Sequence, residues 1–338
     1  MNMRTSRRVR AARAAAVAAA LAVTAAYGGG TPEAQSLTYS RGQNVSPAYE
    51  GWDEDADGTR YFVFGYMNRN WEEEVDVAVG PDNGFNPGGP DLGQPTHFLP
   101  RRNRFVFRVP VPKDFSDKDE LIWTLATKGK VERAFASTKA DYKLDGVARM
   151  SETGALGAGF SSPEIRANRP PVLKVEGPKE LTAKVGQPLR LAAIVTDDGV
   201  PKPRAPGLGG AAVSNRGSRP EVDPAAATRQ QHTRSVNRAS SPPVRATPNK
   251  TVGLHTTWFV YRGSGKVTFE PEQISVWEDT RPGTHSPWAP IWSAPEPPAD
   301  GRNMVQATFS EPGTYVVRVR ADDGGLTADG DVTVVVLK

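Results

Sequence analysis

Apolar residues in this chain recur at every second position, and that period limits the fold more than any other feature. Tyr61-Phe62-Val63-Phe64-Gly65-Tyr66 is dense in aromatic and β-branched side chains. Val75, Val77 and Val79 alternate with Asp76 and Ala78, while Phe105, Phe107, Val109 and Val111 alternate with Val106, Arg108 and Pro110. Leu121–Thr127 and Val131–Ser137 add two more runs. Period-two alternation sends one set of side chains inward and the other towards water, as in a half-buried antiparallel strand. Clusters at Asp55-Ala56-Asp57-Gly58, Gly80–Gly84 and Asn86–Pro90 read as turns between strands. Six or seven short strands so spaced predict a sandwich of roughly 100 residues. Beyond the first 26 residues no stretch shows helical periodicity.

A second β pattern follows. It opens at Pro170-Pro171-Val172-Leu173-Lys174-Val175 and continues where Leu189, Leu191, Ala193 and Val195 alternate with Arg190, Ala192, Ile194 and Thr196. Thr257–Tyr261, Met304–Phe309, Tyr315–Val319 and Val332–Leu337 complete it. Residues 142–168, with Gly154, Gly157 and Gly159, read as a connector. Residues 200–252 contain no aromatic residue and are rich in Pro, Ala, Ser, Arg and Gly, a composition that predicts a disordered insertion. The expected fold is all-β: two immunoglobulin-like β-sandwich domains joined by a linker, with that insertion in the second. The expected boundaries are signal peptide 1–26, flexible N-terminus 27–43, N-terminal sandwich 44–141, linker 142–168 and second sandwich 169–338.

The N-terminus has the parts of an export signal: Arg4, Arg7, Arg8, Arg10 and Arg13, then an apolar or small run from Ala14 to Ala26. Thr24 and Ala26 suit a signal peptidase, and a cut after Ala34 is an alternative. Ser6-Arg7-Arg8 leaves the twin-arginine route open beside the general one. The run is too short to span a bilayer, so no membrane span is expected in the mature chain. The formal charge of +4 drops to near −1 once the five arginines leave. Residues 200–252 hold nine Lys/Arg against Glu221 and Asp223, so the remaining mature chain is acidic. That balance speaks against a nucleic-acid partner. With no cysteine, an exported chain must hold itself together by core burial.

Several motifs in the second half resemble PKD-type and cadherin-like domains of the immunoglobulin class. They are Asn168-Arg169-Pro170-Pro171, Thr196-Asp197-Asp198-Gly199, Thr257-Trp258, Phe309–Tyr315 and Ala321-Asp322-Asp323-Gly324-Gly325 before a valine strand. Glu311-Pro312-Gly313-Thr314-Tyr315 is the most specific, a turn feeding a strand whose tyrosine would pack at a sandwich corner. The aspartate-rich run that usually marks PKD domains is missing, since Trp258 continues as Phe259-Val260-Tyr261. The resemblance implies a fold and no single function, because such modules serve as spacers, adhesins and ligand binders. The N-terminal half carries no motif of a characterised family.

Candidate chemistry is sparse. Asp53–Gly58 has half of a calcium loop, but Phe64 stands where a bidentate glutamate is needed, so it reads as a hairpin turn. Calcium is better placed at Asp197, Asp198, Asp322 and Asp323, against the plainer reading of turn aspartates. Gly263-Ser264-Gly265-Lys266 is a turn, not a phosphate loop. His97, His232, His255 and His285 are scattered, and Glu72-Glu73-Glu74-Asp76 reads as a solvated strand edge. Trp277, Trp288 and Trp292 lie in a proline-rich segment that could present indole faces to sugar rings, or cap the sandwich end. The expectation is an exported, non-enzymatic binding or structural protein of the periplasm, cell surface or extracellular space, with polysaccharide or an envelope protein as candidate partner. The rivals are a carbohydrate-binding accessory protein using the tryptophan segment, and a secreted hydrolase.

Overall fold

The computed structural model describes residues 39–116, 118–152, 163–202, 253–277 and 297–338. The expected signal segment, most of the expected 200–252 insertion, Trp288 and Trp292 lie outside the described residues. Eight strands form the first half: β1 (Val45–Glu54), β2 (Arg60–Asn68), β3 (Val75–Asp76), β4 (Asn83–Asn86), β5 (His97–Phe98), β6 (Arg101–Pro110), β7 (Leu121–Thr127) and β8 (Lys130–Ala136). Sheets β1-β2-β6 and β4-β7-β8 face each other, with β3-β5 as a small separate ribbon. Alternation is read directly in β7, where Leu121, Trp123 and Leu125 are buried and Ile122, Thr124 and Ala126 only partly so.

The core of this sandwich is aromatic. Phe64 stacks on Phe107 at 5.4 Å and Phe85 on Trp123 at 5.9 Å, while Phe64 and Phe107 meet Trp123 edge-on. Offset and edge-to-face rings add to the burial of their large apolar surfaces. Two elements differ from the sequence expectation. Strand β4 takes in Asn83 and Gly84 of one expected turn cluster and Asn86 of the next, so its glycine and asparagines hide a strand pattern. Of the Val75–Val79 alternation only Val75–Asp76 is strand.

The second half holds β9 (Val172–Val175), β10 (Glu180–Lys184), β11 (Leu189–Thr196), β12 (His255–Arg262), β13 (Val267–Glu270), β14 (Arg302–Phe309), β15 (Gly313–Asp322) and β16 (Thr327–Leu337). Its sheets run β13-β14-β11-β9 and β10-β16-β15-β12, with β10 parallel to β16 and every other pair antiparallel. In chain terms this is the four-strand and three-strand arrangement of a constant-type immunoglobulin sandwich, with β10 added beside the last strand. Two hallmarks accompany the strand order. Trp258 on the third strand of that scheme is buried, and the Tyr315 hydroxyl at the start of β15 donates back to the Glu311 carbonyl at 3.0 Å. This is the tyrosine corner that the Glu311–Tyr315 turn predicts. Val317, two residues on, is fully buried where antibody domains carry a cysteine. Apolar packing replaces the disulfide.

Of the connector, residues 142–152 and 163–168 are described; Gly154, Gly157 and Gly159 lie outside the described residues. Short helices cover Gly146–Glu152 and Pro163–Arg166. The first is fastened at both ends of its reach: Leu144 N donates to Trp52 O at 2.7 Å, and Met150 packs with Leu326 in a small satellite core. Tertiary contact overrides weak helical periodicity here.

Candidate functional site

The feature that gathers the most unusual chemistry is the junction where the two sandwiches meet. It begins with two buried amides. Asn83 accepts from the Trp123 indole at 3.0 Å and donates to Val77 O and Pro95 O, and Gln94 donates to Asn83 O and Pro90 O. These bonds fix the 77–96 loop on the aromatic core, with buried polar groups satisfied. The loop then presents residues 91–96 to the end of β12, an edge strand. Thr96 N donates to Tyr261 O at 3.3 Å, Gly263 N to Thr96 Oγ1 at 3.0 Å, and Tyr261 Oη to Gly93 O at 2.5 Å. Covering an edge in this way removes a site for unwanted pairing. Gly263 must be glycine: its φ is +127°, and a Cβ there would run into the Tyr315 ring.

Charged groups complete the junction. Arg262 donates to Gln94 O and makes a two-pronged pair with Asp91 at 2.9 and 2.7 Å, which holds the Asp91 carboxyl down at about 2. Arg318 is buried; it donates to Val106 O at 2.7 Å, forks onto Asp331 at 2.7 and 2.8 Å, and lies 3.5 Å from the Tyr261 ring centre. Burial opposes that charge, but the Asp331 fork and the neighbouring Tyr261 and Asp329 hold the guanidinium pKa above its ordinary value. Arg320 pairs with Asp329 at 2.8 Å through both prongs. Such bidentate geometry is what makes a buried ion pair tolerable.

His97, on β5, is buried between two carboxylates, with Nδ1 2.7 Å from Asp76 and Nε2 3.2 Å from Glu74. Burial alone would lower its pKa, yet the bonds from Asp76 and Glu74 prevail and raise it to about 9. Both acceptors demand N–H, so the ring is doubly protonated near neutral pH and has no lone pair to act as base or metal ligand. The acidic run is therefore not a solvated edge throughout. Glu74 and Asp76 clamp His97, and Glu73 bonds Gly42 N and Lys128. Sequence reasoning missed this cluster because 21 residues separate Asp76 from His97.

The sequence-predicted residues lie elsewhere. Trp277 is half-buried, at the point where the described chain stops before Trp288 and Trp292. An open cleft of about 390 Å³ is lined by Trp258, His255, Gln273, Pro297, Asn303 and Met304, and Trp277 is not part of its wall. Asp197 and Asp198 cap the turn after β11, accepting from Gly199 N and Val200 N, and Asp198 also accepts from Arg169 N. Asp322 accepts from Gly324 N; Asp323 accepts from Gly325 N, Leu326 N and the Asn168 amide. Burial pushes the Asp323 carboxyl up to about 6 and raises that of Asp197. Among the described residues no three His, Asp or Glu side chains gather as a metal ion would need. Asp53–Gly58 forms the β1–β2 hairpin, and its acids pair with Arg108 and Arg149.

No family model matches this chain, and no curated protein matches it. Among solved structures it is similar to the S-layer protein SbsC at 8% identity, covering 87% of this chain and 28% of that one, with a TM-score of 0.21. A Yersinia pseudotuberculosis adhesin, InvE, is 10% identical over 88% of this chain and 61% of its own, with a TM-score of 0.22. The eight N-terminal immunoglobulin domains of Down Syndrome Cell Adhesion Molecule give 10% identity, coverage of 87% and 27%, and a TM-score of 0.21. Superpositions this loose bear on no function, and the immunoglobulin-like assignment rests on strand order and the tyrosine corner. Among the described residues no helix is long and apolar enough to cross a membrane.

Proposed function

We propose that this is an exported, non-enzymatic binding or structural protein of the cell envelope or extracellular space, in which the two sandwiches act as one stiff unit. The observation that carries the reading is the use made of the charged groups at the junction. His97, Arg262, Arg318 and Arg320 are each committed to carboxylates, and the imidazolium is closed on both nitrogens. Such groups position elements; they offer no free base beside a nucleophile. The arginine-led, cysteine-free N-terminus supports export, and the second sandwich is of the PKD-type or cadherin-like kind by its Glu311–Tyr315 corner and paired aspartate turns. The test is fractionation of the producing cell with N-terminal sequencing of the mature protein. A chain starting at Tyr27 or Gln35 outside the cytoplasm supports the reading, and an intact Met1 chain in the cytoplasm sinks it.

The cleft lined by Trp258 favours one second reading, a carbohydrate-binding accessory role. Its volume is of the size that takes small ligands. Titrating polysaccharides against tryptophan fluorescence checks it, and an unchanged spectrum with every glycan argues against it. For the acidic turns at Asp197-Asp198 and Asp322-Asp323, a melting temperature that rises with calcium would establish an ion there, since a ligand bound only to the native state must raise it.

A further inference from the structure

β8, which takes part in none of the junction bonds, is an open edge among the described residues. Among the described residues it pairs with β7 and with no other strand, from Leu121↔Ala136 to Thr127↔Lys130. The connection is the two-residue turn Lys128-Gly129, whose φ values of 52° and 73° are those of a type I′ hairpin. In such a hairpin the residues flanking the turn are a hydrogen-bonded pair, and bonded pairs then alternate along the ladder. Glu132 and Ala134 therefore spend their backbone groups on β7. Val131, Arg133 and Phe135 point theirs outward, to the free edge.

The side chains of the same three residues stand on the outer face. Val131 is 57% exposed and Phe135 52%, with Arg133 exposed between them. Arg133 takes part in no ion pair among the described residues. Natural edge strands are blunted by shortness, proline, bulges or charge. Several other edges show those devices: β4, β9 and β13 are four residues long, β1 carries Pro47 and a register shift at Tyr49/Gly51, and β6 carries Pro110. β8 has seven residues, no proline and no register shift, and on its inner side Glu132 is taken up by Asn44 and Arg69. Its one charge on the outer face is the guanidinium.

We infer that β8 is a docking edge for an extended polypeptide segment of another protein, which adds as an antiparallel strand and sets an acidic residue opposite Arg133 between two apolar ones. The backbone supplies the hydrogen bonds, and alternate side chains supply the selection. Charge disfavours a second copy of this chain in the centred register. Centred two-fold pairing of β8 with itself sets Arg133 against Arg133, and like charges directly opposite destabilise a strand pair. The surface is separate from the junction, so the inference stands whether or not the chain is exported.

The probe is a short peptide carrying Val-Glu-Phe on one face and threonines on the other, added to the full chain. Amide hydrogen exchange should slow at Val131, Arg133 and Phe135 and stay unchanged at Glu132 and Ala134, which are already bonded. The peptide with N-methyl groups on its bonding edge should lose binding, and Arg133→Glu should weaken binding of the parent peptide roughly fivefold. Absence of binding, binding indifferent to N-methylation, or protection that moves elsewhere overturns the inference. So does protection at the three amides that rises with protein concentration in the absence of peptide, because the edge would then pair with a second copy.

Discussion

The two sandwiches solve the same problem with different materials. In the first, large rings fill the centre, and a net of buried amides (Asn68, Asn70, Asn83, Gln94 and Asn103) holds the loops around them. In the second, β15 and β16 supply Val317, Val319, Val332, Val334 and Val336, all nearly inaccessible, and among the described residues only Trp258, Phe309 and the corner Tyr315 add fully buried rings. A core of valines follows from alternation alone, because each β-branched residue fits a pleated surface wherever the register puts it. A core of rings and amides needs particular partners. The contrast also explains the junction: the amide-held loop of the first sandwich is shaped to cover the bare edge of the second.

The sharpest way to break the comparison is to remove one central side chain from each core. Trp123→Ala should destabilise the first sandwich by about 3–5 kcal/mol, since it deletes the ring on which Phe64, Phe85 and Phe107 pack and leaves Asn83 without its donor. Val334→Ala in the second should cost about 2 kcal/mol, with nothing polar stranded. Urea unfolding of both variants measures the difference, and equal losses would mean that the amide net adds nothing.

Arg318→Met comes next. It leaves Val106 O and the Asp331 carboxylate without their cation, while Asp329 keeps its two-pronged pair with Arg320; breaking a buried pair costs about 3–5 kcal/mol, and less here because Asp331 is exposed. Its effect should fall on the coupling between sandwiches, so thermal unfolding should separate into two steps.

His97 sharpens the comparison through pH. Its folded pKa of about 9 lies above the ordinary 6.5. The clamp's contribution is therefore fully present below pH 6.5 and lost as pH rises through about 9, at most on the order of 3 kcal/mol. His97→Gln should flatten the decline in melting temperature between those values; a wild-type chain already flat there contradicts the clamp. Smallest is Tyr315→Phe, which removes the bond to Glu311 O and should cost about 1 kcal/mol by denaturant midpoint. A larger loss would mean that the corner carries more than one bond's worth of order.

The same contrast explains what the sequence could reveal. Alternation along Leu121–Thr127, Leu189–Val195 and Val332–Leu337 was legible because burial enforces a period of two. The Tyr315 corner was legible because its turn and strand are contiguous. β4 was hidden, as its Asn-Gly-Phe-Asn run carries turn residues whose strand geometry comes from pairing with β7. The His97 clamp and the Arg318 bridge were hidden for another reason: Arg318 reaches Val106 across 212 positions, and no local pattern encodes a partner that distant. The helices of the connector owe their place to contacts such as Met150 with Leu326, again far apart in the chain.

The central claim is that the junction makes the two sandwiches one cooperative unit, and differential scanning calorimetry of the full chain tests it most directly. The account predicts a single transition near neutral pH, with calorimetric and van't Hoff enthalpies in agreement. Two resolved transitions in the wild-type chain, unchanged by Arg318→Met, would contradict it.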